Sequence, residues 1–336
     1  MSRRSNDLLG RLLRDVSRSF YLTMRLLPGP IRPQISLAYL LARTTDTIAD
    51  TALLPPDRRL RALRELRERI LGSNRAPLEL TDLVQHQGTA AERELLGRFE
   101  EALALLSTFT EDDQRLIREL LAVITSGQEL DVTRFADASR KRIIALKTEE
   151  EFDDYTYRVA GCVGEFWTRV CRTHLFPRAQ LDDNWLLSQG VRFGMGLQSV
   201  NILRDLALDL RQGRCYLPED RLWAIGITPV DLLDPANESR FRPAYDAFLH
   251  RAEAHLSAGW EYTLHLPPTQ VRVRLACAWP ILIGAKTLSK LRVGKVLSPE
   301  LRIKVGRTEL RRLILRSIVS YPWPAVWKRS FDRSRG

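Results

Sequence analysis

The sequence predicts an all-α fold. Apolar residues recur at helical spacing along nearly all of the 336 residues, no convincing run alternates apolar with polar residues, and the 18 Gly and 17 Pro are scattered rather than clustered. No internal repeat, low-complexity tract or long linker interrupts this pattern, so one domain is expected over 1–336, with a core at about 8–320 and a basic Trp- and Tyr-containing tail at about 317–336.

Taken in order, Leu8, Leu9, Leu12, Leu13 and Val16 make one apolar face. Pro33 to about Thr51 is apolar nearly all round, as suits a helix buried on several sides. Arg58–Leu71 is strongly charged, with Leu60, Leu63, Leu66 and Ile70 on one side, and Gly72–Leu78 reads as a loop. Further helices are expected at Ala90–Phe109, Glu111–Ser126, Glu149–Thr173, Gln180–Leu210, Ser239–Leu266, Thr269–Leu291 and Pro299–Ser320, with a short one at Pro229–Leu233. Phe135–Lys147 is irregular and basic. The final segment mixes Tyr321, Trp323 and Trp327 with basic residues, which suits a membrane interface. A tail folded back onto the body is the favoured reading, because two prolines prevent one long amphipathic helix.

The chain is 44% hydrophobic and 28% charged, enough to bury a sizeable core and unlike a disordered chain. Its 52 basic and 41 acidic residues give a formal charge of +11, and the pI is near 9.8. That balance suits an anionic partner or simply a solvated surface. Cys162, Cys171, Cys215 and Cys277 show no metal-ligand spacing and read as reduced residues of a cytoplasmic protein. The N-terminus is basic but lacks a signal peptide's apolar centre, and the longest uncharged runs are too short to span a bilayer. A soluble or peripheral protein is expected, with contact at the inner face of the membrane left open. Arginines spread along the chain, without a reading motif, argue against a nucleic-acid binder.

Two stretches point to chemistry. At about 100° per residue, Tyr39, Arg43, Asp46 and Asp50 fall within an arc of roughly 60°. Like charges at i,i+4 repel, and burial worsens this unless a cation lies between them. Mg²⁺ favours a few carboxylates together with water and substrate phosphates. In the second stretch Gln198, Asn201, Asp205 and Asp209 fall within about 80°, on a helix otherwise made apolar by Val200, Ile202, Leu203, Leu206 and Leu208. Either stripe alone would ordinarily be a solvated face. Two on mostly apolar helices point to a metal and phosphate site, because facing helices of a bundle are a known place to build one.

With these stripes, Ser17-Arg18-Ser19-Phe20, Asp46-Thr47-Ile48-Ala49-Asp50, Tyr155 through Gly164, Asn201 through Asp209, and Gly213-Arg214-Cys215-Tyr216-Leu217-Pro218 stand in an order and spacing that resembles the squalene/phytoene synthases. The resemblance covers about Ser17 to Arg312. It implies a single-domain isoprenoid synthase fold, a helical bundle around a central prenyl cavity. It implies that Asp46, Asp50, Asp205 and Asp209 hold Mg²⁺ against diphosphates, with Asn201 as a further ligand and Gln198 assisting. Ser17, Arg18, Ser19, Arg43, Arg204 and Arg214 would contact diphosphate oxygens, chemistry that guanidinium forks serve well. Tyr155 matches a tyrosine of proton handling or cation stabilisation, and Tyr39, Phe20, Val159 and Val163 would line the cavity.

The implied activity is head-to-head condensation of two farnesyl diphosphates through presqualene diphosphate to squalene, with NADPH as reductant. Lys304, Arg307, Arg311 and Arg312 could meet an NADPH phosphate or form a solvated face. Hydroxysqualene, dehydrosqualene and phytoene are the alternative endings, and a non-catalytic assembly-factor homologue is the alternative of another class. The intact aspartate pairs argue against that last reading, and Ser17–Phe20 with Tyr155–Gly164 argue against a terpene cyclase. Two departures from the family pattern, Leu208 and Ala49 where acids are usual, lie about 100° from the neighbouring aspartates and leave both i,i+4 pairs intact. Arg158 and the basic segment Phe135–Lys147 differ from familiar members and leave the product open rather than the reaction class.

Overall fold

The computed structural model describes residues 7–17, 21–51, 54–78, 80–85, 89–298, 300–301 and 303–335. Arg18, Ser19 and Phe20, expected at the site, lie outside these. The chain forms two compact units, one of Met1–Ala136 with Phe166–Arg178, the other of Asp137–Glu165 with Ala179–Gly336.

In the first unit the principal helices are α1 (Arg32–Ala49), α2 (Pro56–Leu71), α3 (Ala90–Gly97), α4 (Phe99–Leu106) and α5 (Glu111–Arg134). Helix α1 is the central one: Leu37, Leu40, Leu41 and Ile48 have no exposed surface. Burying each such side chain is worth about 1.5–3 kcal/mol relative to leaving it in water. Helix α2 ends at Gly72, whose φ of +83° is open to glycine at no steric cost. Thr110 caps α5 by accepting a hydrogen bond from the Asp113 amide. Two expectations are corrected here. The helix expected over Ala90–Phe109 is two helices, broken at Arg98. Gly97 weakens the chain there, and the Arg98 guanidinium is drawn to Asp7 at 2.5 Å and Glu101 at 2.9 Å. Helix α5 runs a further two turns past Ser126, to Arg134.

The second unit holds a two-stranded parallel sheet, which the sequence reading missed. Strand β1 (Ile144–Leu146) pairs with β2 (Arg214–Pro218). Three and five residues are too few for alternation to show. Gly213, at φ +85°, turns the chain into β2; a Cβ there would lie 2.3 Å from the Ser139 backbone nitrogen. The segment expected as one helix over Glu149–Thr173 is α6 (Glu149–Thr156), a π-helical turn at Tyr157–Gly161, and α7 (Cys162–His174), whose residues from Phe166 on belong to the first unit. The long helix α8 (Asp183–Arg211) packs on α9 (Glu238–His265), which packs on α10 (Val271–Val293).

Three helices end the chain: α11 (Arg307–Ser320), α12 (Pro324–Lys328) and α13 (Ser330–Arg335). Helix α11 begins later than the expected Pro299. The tail folds back, as favoured: Trp327 is buried, 4.9 Å from the Trp260 ring, and the Trp260 indole donates to the Lys328 carbonyl at 3.1 Å. All four cysteines are buried thiols outside any disulfide, and burial pushes the Cys162 and Cys215 thiols up to about 12. Among the described residues no helix is long and apolar enough to cross a membrane.

Candidate active site

In the first unit, Ser17, Tyr39, Arg43, Asp46 and Asp50 are all placed. Arg43, Asp46 and Asp50 follow one another at i,i+3 and i,i+4 along the last two turns of α1 and its C-cap. Asp50 is the C-cap residue, its amide donating to the Asp46 carbonyl at 2.9 Å. A carboxylate at the negative end of a helix dipole is unfavourable by itself and favours a cation nearby. Asp46 is half-buried and Asp50 is exposed. Burial among its neighbours and the like charge of Asp50 push the Asp46 carboxyl up to about 6, against the pull of Arg43.

Arg43 donates to Asp46 and, through its other terminal nitrogen, to Glu92 at 3.0 Å. Glu92 is a residue that the sequence reading missed. It sits in the first turn of α3, where its amide donates to the Thr89 hydroxyl at 3.2 Å, and that hydroxyl donates to the Glu92 carboxylate at 2.7 Å. The available signal was Thr-x-x-Glu, the sequence of a helix N-terminus. Ser17 is buried, and its hydroxyl has no hydrogen-bond partner among the described residues. An orphaned buried hydroxyl is costly, and an incoming anion oxygen would satisfy it.

In the second unit, α8 carries Gln198, Asn201, Arg204, Asp205 and Asp209, again toward the C-terminal end of their helix. The Asn201 amide lies 3.4 Å from the Gln198 side-chain oxygen. Arg204 grips Asp205 with two hydrogen bonds, at 2.9 and 2.5 Å. Hydrogen bonding to Asp205 raises the already high Arg204 pKa, so this guanidinium is always charged.

The glycines of the Tyr155–Gly164 segment are explained by contact with α8. A Cβ on Gly164 would lie 1.8 Å from the Gly190 carbonyl oxygen, and one on Gly194 would lie 2.0 Å from that of Ala160. The π-helical turn and α8 therefore meet backbone to backbone. Tyr155, just before this turn, is buried and stacks on Tyr216 of β2, centroids 4.7 Å apart and planes 24° apart. Tyr216 was not expected at the site. Arg214 opens β2 and is half-buried, and Val159 is half-buried while Val163 is 39% exposed.

Among the described residues no group of three His, Cys, Asp or Glu side chains stands ready for a metal. The donors present are pairs of aspartates, each with an arginine on one member. Such a set fits Mg²⁺ that shares its coordination with substrate phosphate and water, better than it fits an ion caged by protein alone.

Comparison with known proteins agrees with this set of parts. The family model for squalene/phytoene synthase matches residues 13–309. The squalene synthase of Schizosaccharomyces pombe is 26% identical over 314 residues, 92% of this chain and 64% of that protein. The presqualene diphosphate synthase of Rhodopseudomonas palustris is 31% identical over 240 residues, 71% of this chain and 72% of that protein. The chain spans 64%, 38% and 48% of three curated relatives that it matches. Among solved structures, TcSQS in complex with the ligand E5700 aligns with a TM-score of 0.75 at 21% identity, covering 98% of this chain and 99% of that one. A dehydrosqualene synthase in complex with ligand aligns at 0.68 and 18%, covering 95% and 98%. At those identities the structures establish the all-α isoprenoid synthase fold. The matched span holds both aspartate pairs, Tyr155–Gly164 and the Gly213 turn, and on that match the chain belongs to the squalene/phytoene synthase family.

Proposed function

We propose that the chain catalyses the Mg²⁺-dependent head-to-head condensation of two farnesyl diphosphates to squalene through presqualene diphosphate, with NADPH as reductant. The observation that supports this best is the repeated arrangement of an i,i+4 aspartate pair near the C-terminal end of a helix with an arginine hydrogen-bonded to one member. We take the two compact units to act together as one catalytic domain.

In this reading Asp46, Asp50, Asp205 and Asp209, with Asn201 and Gln198, hold Mg²⁺ and orient the diphosphates. Bound Mg²⁺ supplies a Lewis acid that takes up charge on the departing diphosphate. Arg43, Arg204 and Arg214 bind diphosphate oxygens, with Ser17, Arg18 and Ser19. Arg43 and Arg204 would exchange their carboxylate partners for phosphate, a trade between equivalent charge-assisted hydrogen bonds. The allylic cation left behind survives only where water is excluded, and Tyr39, Phe20, Val159 and Val163 would line that space. The Tyr155 ring face turned away from Tyr216 would offer π-electron density to a cation, and its hydroxyl a place to hold a proton. Joining the two chains releases one diphosphate and one proton as presqualene diphosphate forms. Loss of the second diphosphate and addition of a hydride give squalene. NADPH supplies that hydride, a part of the reading that rests on kinship with squalene synthases. Lys304, Arg307, Arg311 and Arg312 are exposed and single out no cofactor contact.

A second reading stops at presqualene diphosphate and needs no reductant. The 31% identity to the R. palustris presqualene diphosphate synthase favours it. The test is incubation with farnesyl diphosphate and Mg²⁺, with and without NADPH, followed by mass analysis of the lipid. Squalene that appears only with NADPH supports the proposal. Presqualene diphosphate accumulating either way supports the second reading. Hydroxysqualene or dehydrosqualene without NADPH replaces the ending and keeps the reaction class. No prenyl product from any chain length favours a non-catalytic homologue.

A further inference from the structure

Helix α11 turns apolar residues toward water. Leu315 is 63% exposed, Ile318 44% and Val319 58%, while Ser317 and Ser320 face inward. With Arg311 the three aliphatic residues fall within an arc of roughly 100°. The exposed surface continues past the helix in Trp323, 59% exposed, and Val326, 39% exposed. The tail is thus sorted into two halves. Trp327 and Phe331 fold inward onto Trp260, and Trp323 stays out. A contiguous exposed apolar surface bordered by charge is the mark of an interaction site.

Charge identifies the partner. Arg312 and Arg316 border the stripe and also line a cavity of about 210 Å³ with Lys286 and Arg333. The one carboxylate in that lining, Glu309, is paired with Lys290 at 2.5 Å. Glu309 also lies 4.0 Å from Lys286, so Arg312, Arg316 and Arg333 exceed the acid's charge and make the pocket one for an anion, set beside apolar side chains. A soluble phosphate would use the cavity and leave the stripe without a role. A nucleic acid would call for more stacking aromatics than Trp323, the one exposed tryptophan among the described residues of this tail. An anionic phospholipid uses both, its phosphate meeting the cations and its acyl boundary the aliphatic residues.

We propose that α11, with Trp323 and Val326, docks the protein on an anionic lipid surface, and that the Lys286–Arg312–Arg316–Arg333 cavity takes a lipid phosphate. The docking stands apart from the reaction proposed above and needs no turnover.

The experiment is co-sedimentation of the full chain with vesicles of phosphatidylcholine alone and of phosphatidylcholine mixed with phosphatidylglycerol. Binding at least ~10-fold tighter to the anionic vesicles, weakened by salt, is expected. Arg312→Ser with Arg316→Ser reduces that binding about 30-fold, from the loss of two charges near the surface. Leu315→Glu with Val319→Glu abolishes it. Arg312, Leu315, Arg316 and Val319 are all exposed, so both double variants keep the wild-type thermal melt. Wild-type binding by either double variant, or equal binding to neutral and anionic vesicles, overturns the proposal. So does displacement from vesicles by inorganic phosphate at constant ionic strength, which would make the cavity a soluble-anion site. A dimer in sedimentation velocity that Leu315→Glu with Val319→Glu dissociates, with no vesicle binding by the wild type, would assign the face to a second copy instead.

Discussion

Arg204 and Asp205 lie side by side on α8, the guanidinium Nε 2.9 Å from one carboxylate oxygen and a terminal nitrogen 2.5 Å from the other. This fork holds a carboxylate that the reaction would use and a cation that a diphosphate would take up. Lysine keeps the charge and loses the fork. Arg204→Lys is therefore expected to raise the KM for farnesyl diphosphate about 10-fold, one charge-assisted hydrogen bond, with a melting temperature close to wild type. An unchanged KM would show that Arg204 serves Asp205 alone.

Asp46 makes a pH-dependent prediction. Burial and the charge of Asp50 raise its carboxyl from 3.8 to about 6. The folded chain then binds more protons than the unfolded chain between those values, so this group's contribution to stability falls as pH rises through that window. A divalent cation needs the carboxylate and competes with the proton. Thermal melts across the window should show that Mg²⁺ stabilises little at its acid end and more at and above about pH 6. Carbon NMR of the Asp46 carboxyl should give a midpoint near 6 that falls in Asp50→Asn. An Asp46 midpoint that stays put in that variant would remove Asp50 as a cause.

Gly194 and Gly164 allow the backbone contact of α8 with the π-helical turn and with the first turn of α7. A methyl group on either would lie 2.0 or 1.8 Å from a carbonyl oxygen of the facing element. Gly194→Ala or Gly164→Ala should cost about 3 kcal/mol or more, measured by urea denaturation. Gly306→Ala, where nothing lies within 4 Å, is the control. A native-like midpoint for Gly194→Ala would show that the two elements can separate freely.

Glu253, nearly buried on α9, accepts hydrogen bonds from Arg292 and from Arg335 near the chain end. Glu253→Gln removes the charge that pairs both arginines and should cost about 1–3 kcal/mol. Limited proteolysis should cut the segment after Ser320 sooner in this variant. Equal cutting rates would mean that the stacking of Trp327 on Trp260 holds the tail unaided.

The parts that were legible in the sequence are those that a helical period encodes. The span of α1 was readable to within about two residues because its apolar positions run all round it. The aspartate stripes were readable because i,i+4 places them on one face. The strands were not, since Ile144–Leu146 pairs with residues some 70 positions on and is too short to show a period. The π-helical turn was hidden because Tyr157–Gly161 has helical composition; the contact of Ala160 with Gly194 became visible only once the two elements met. Glu92 and Tyr216 were missed for a similar reason. Arg43 reaches Glu92 across 49 positions, and no local pattern links them.

The Tyr155 ring packs on Tyr216. Tyr155→Phe should keep that stacking. Loss of the hydroxyl should slow turnover by about 10²-fold if it handles a proton. Full activity with normal product would confine Tyr155 to packing.

Diphosphate release from farnesyl diphosphate, followed with and without Mg²⁺ in the wild type, Asp46→Asn and Asp205→Asn, tests the central claim most directly. The wild type should release diphosphate only with Mg²⁺. Each variant should lose at least ~10³-fold of that rate while its melting profile stays native, since both side chains are partly exposed. Metal-independent release by the wild type, or wild-type rates in both variants, would contradict the assignment of these aspartates.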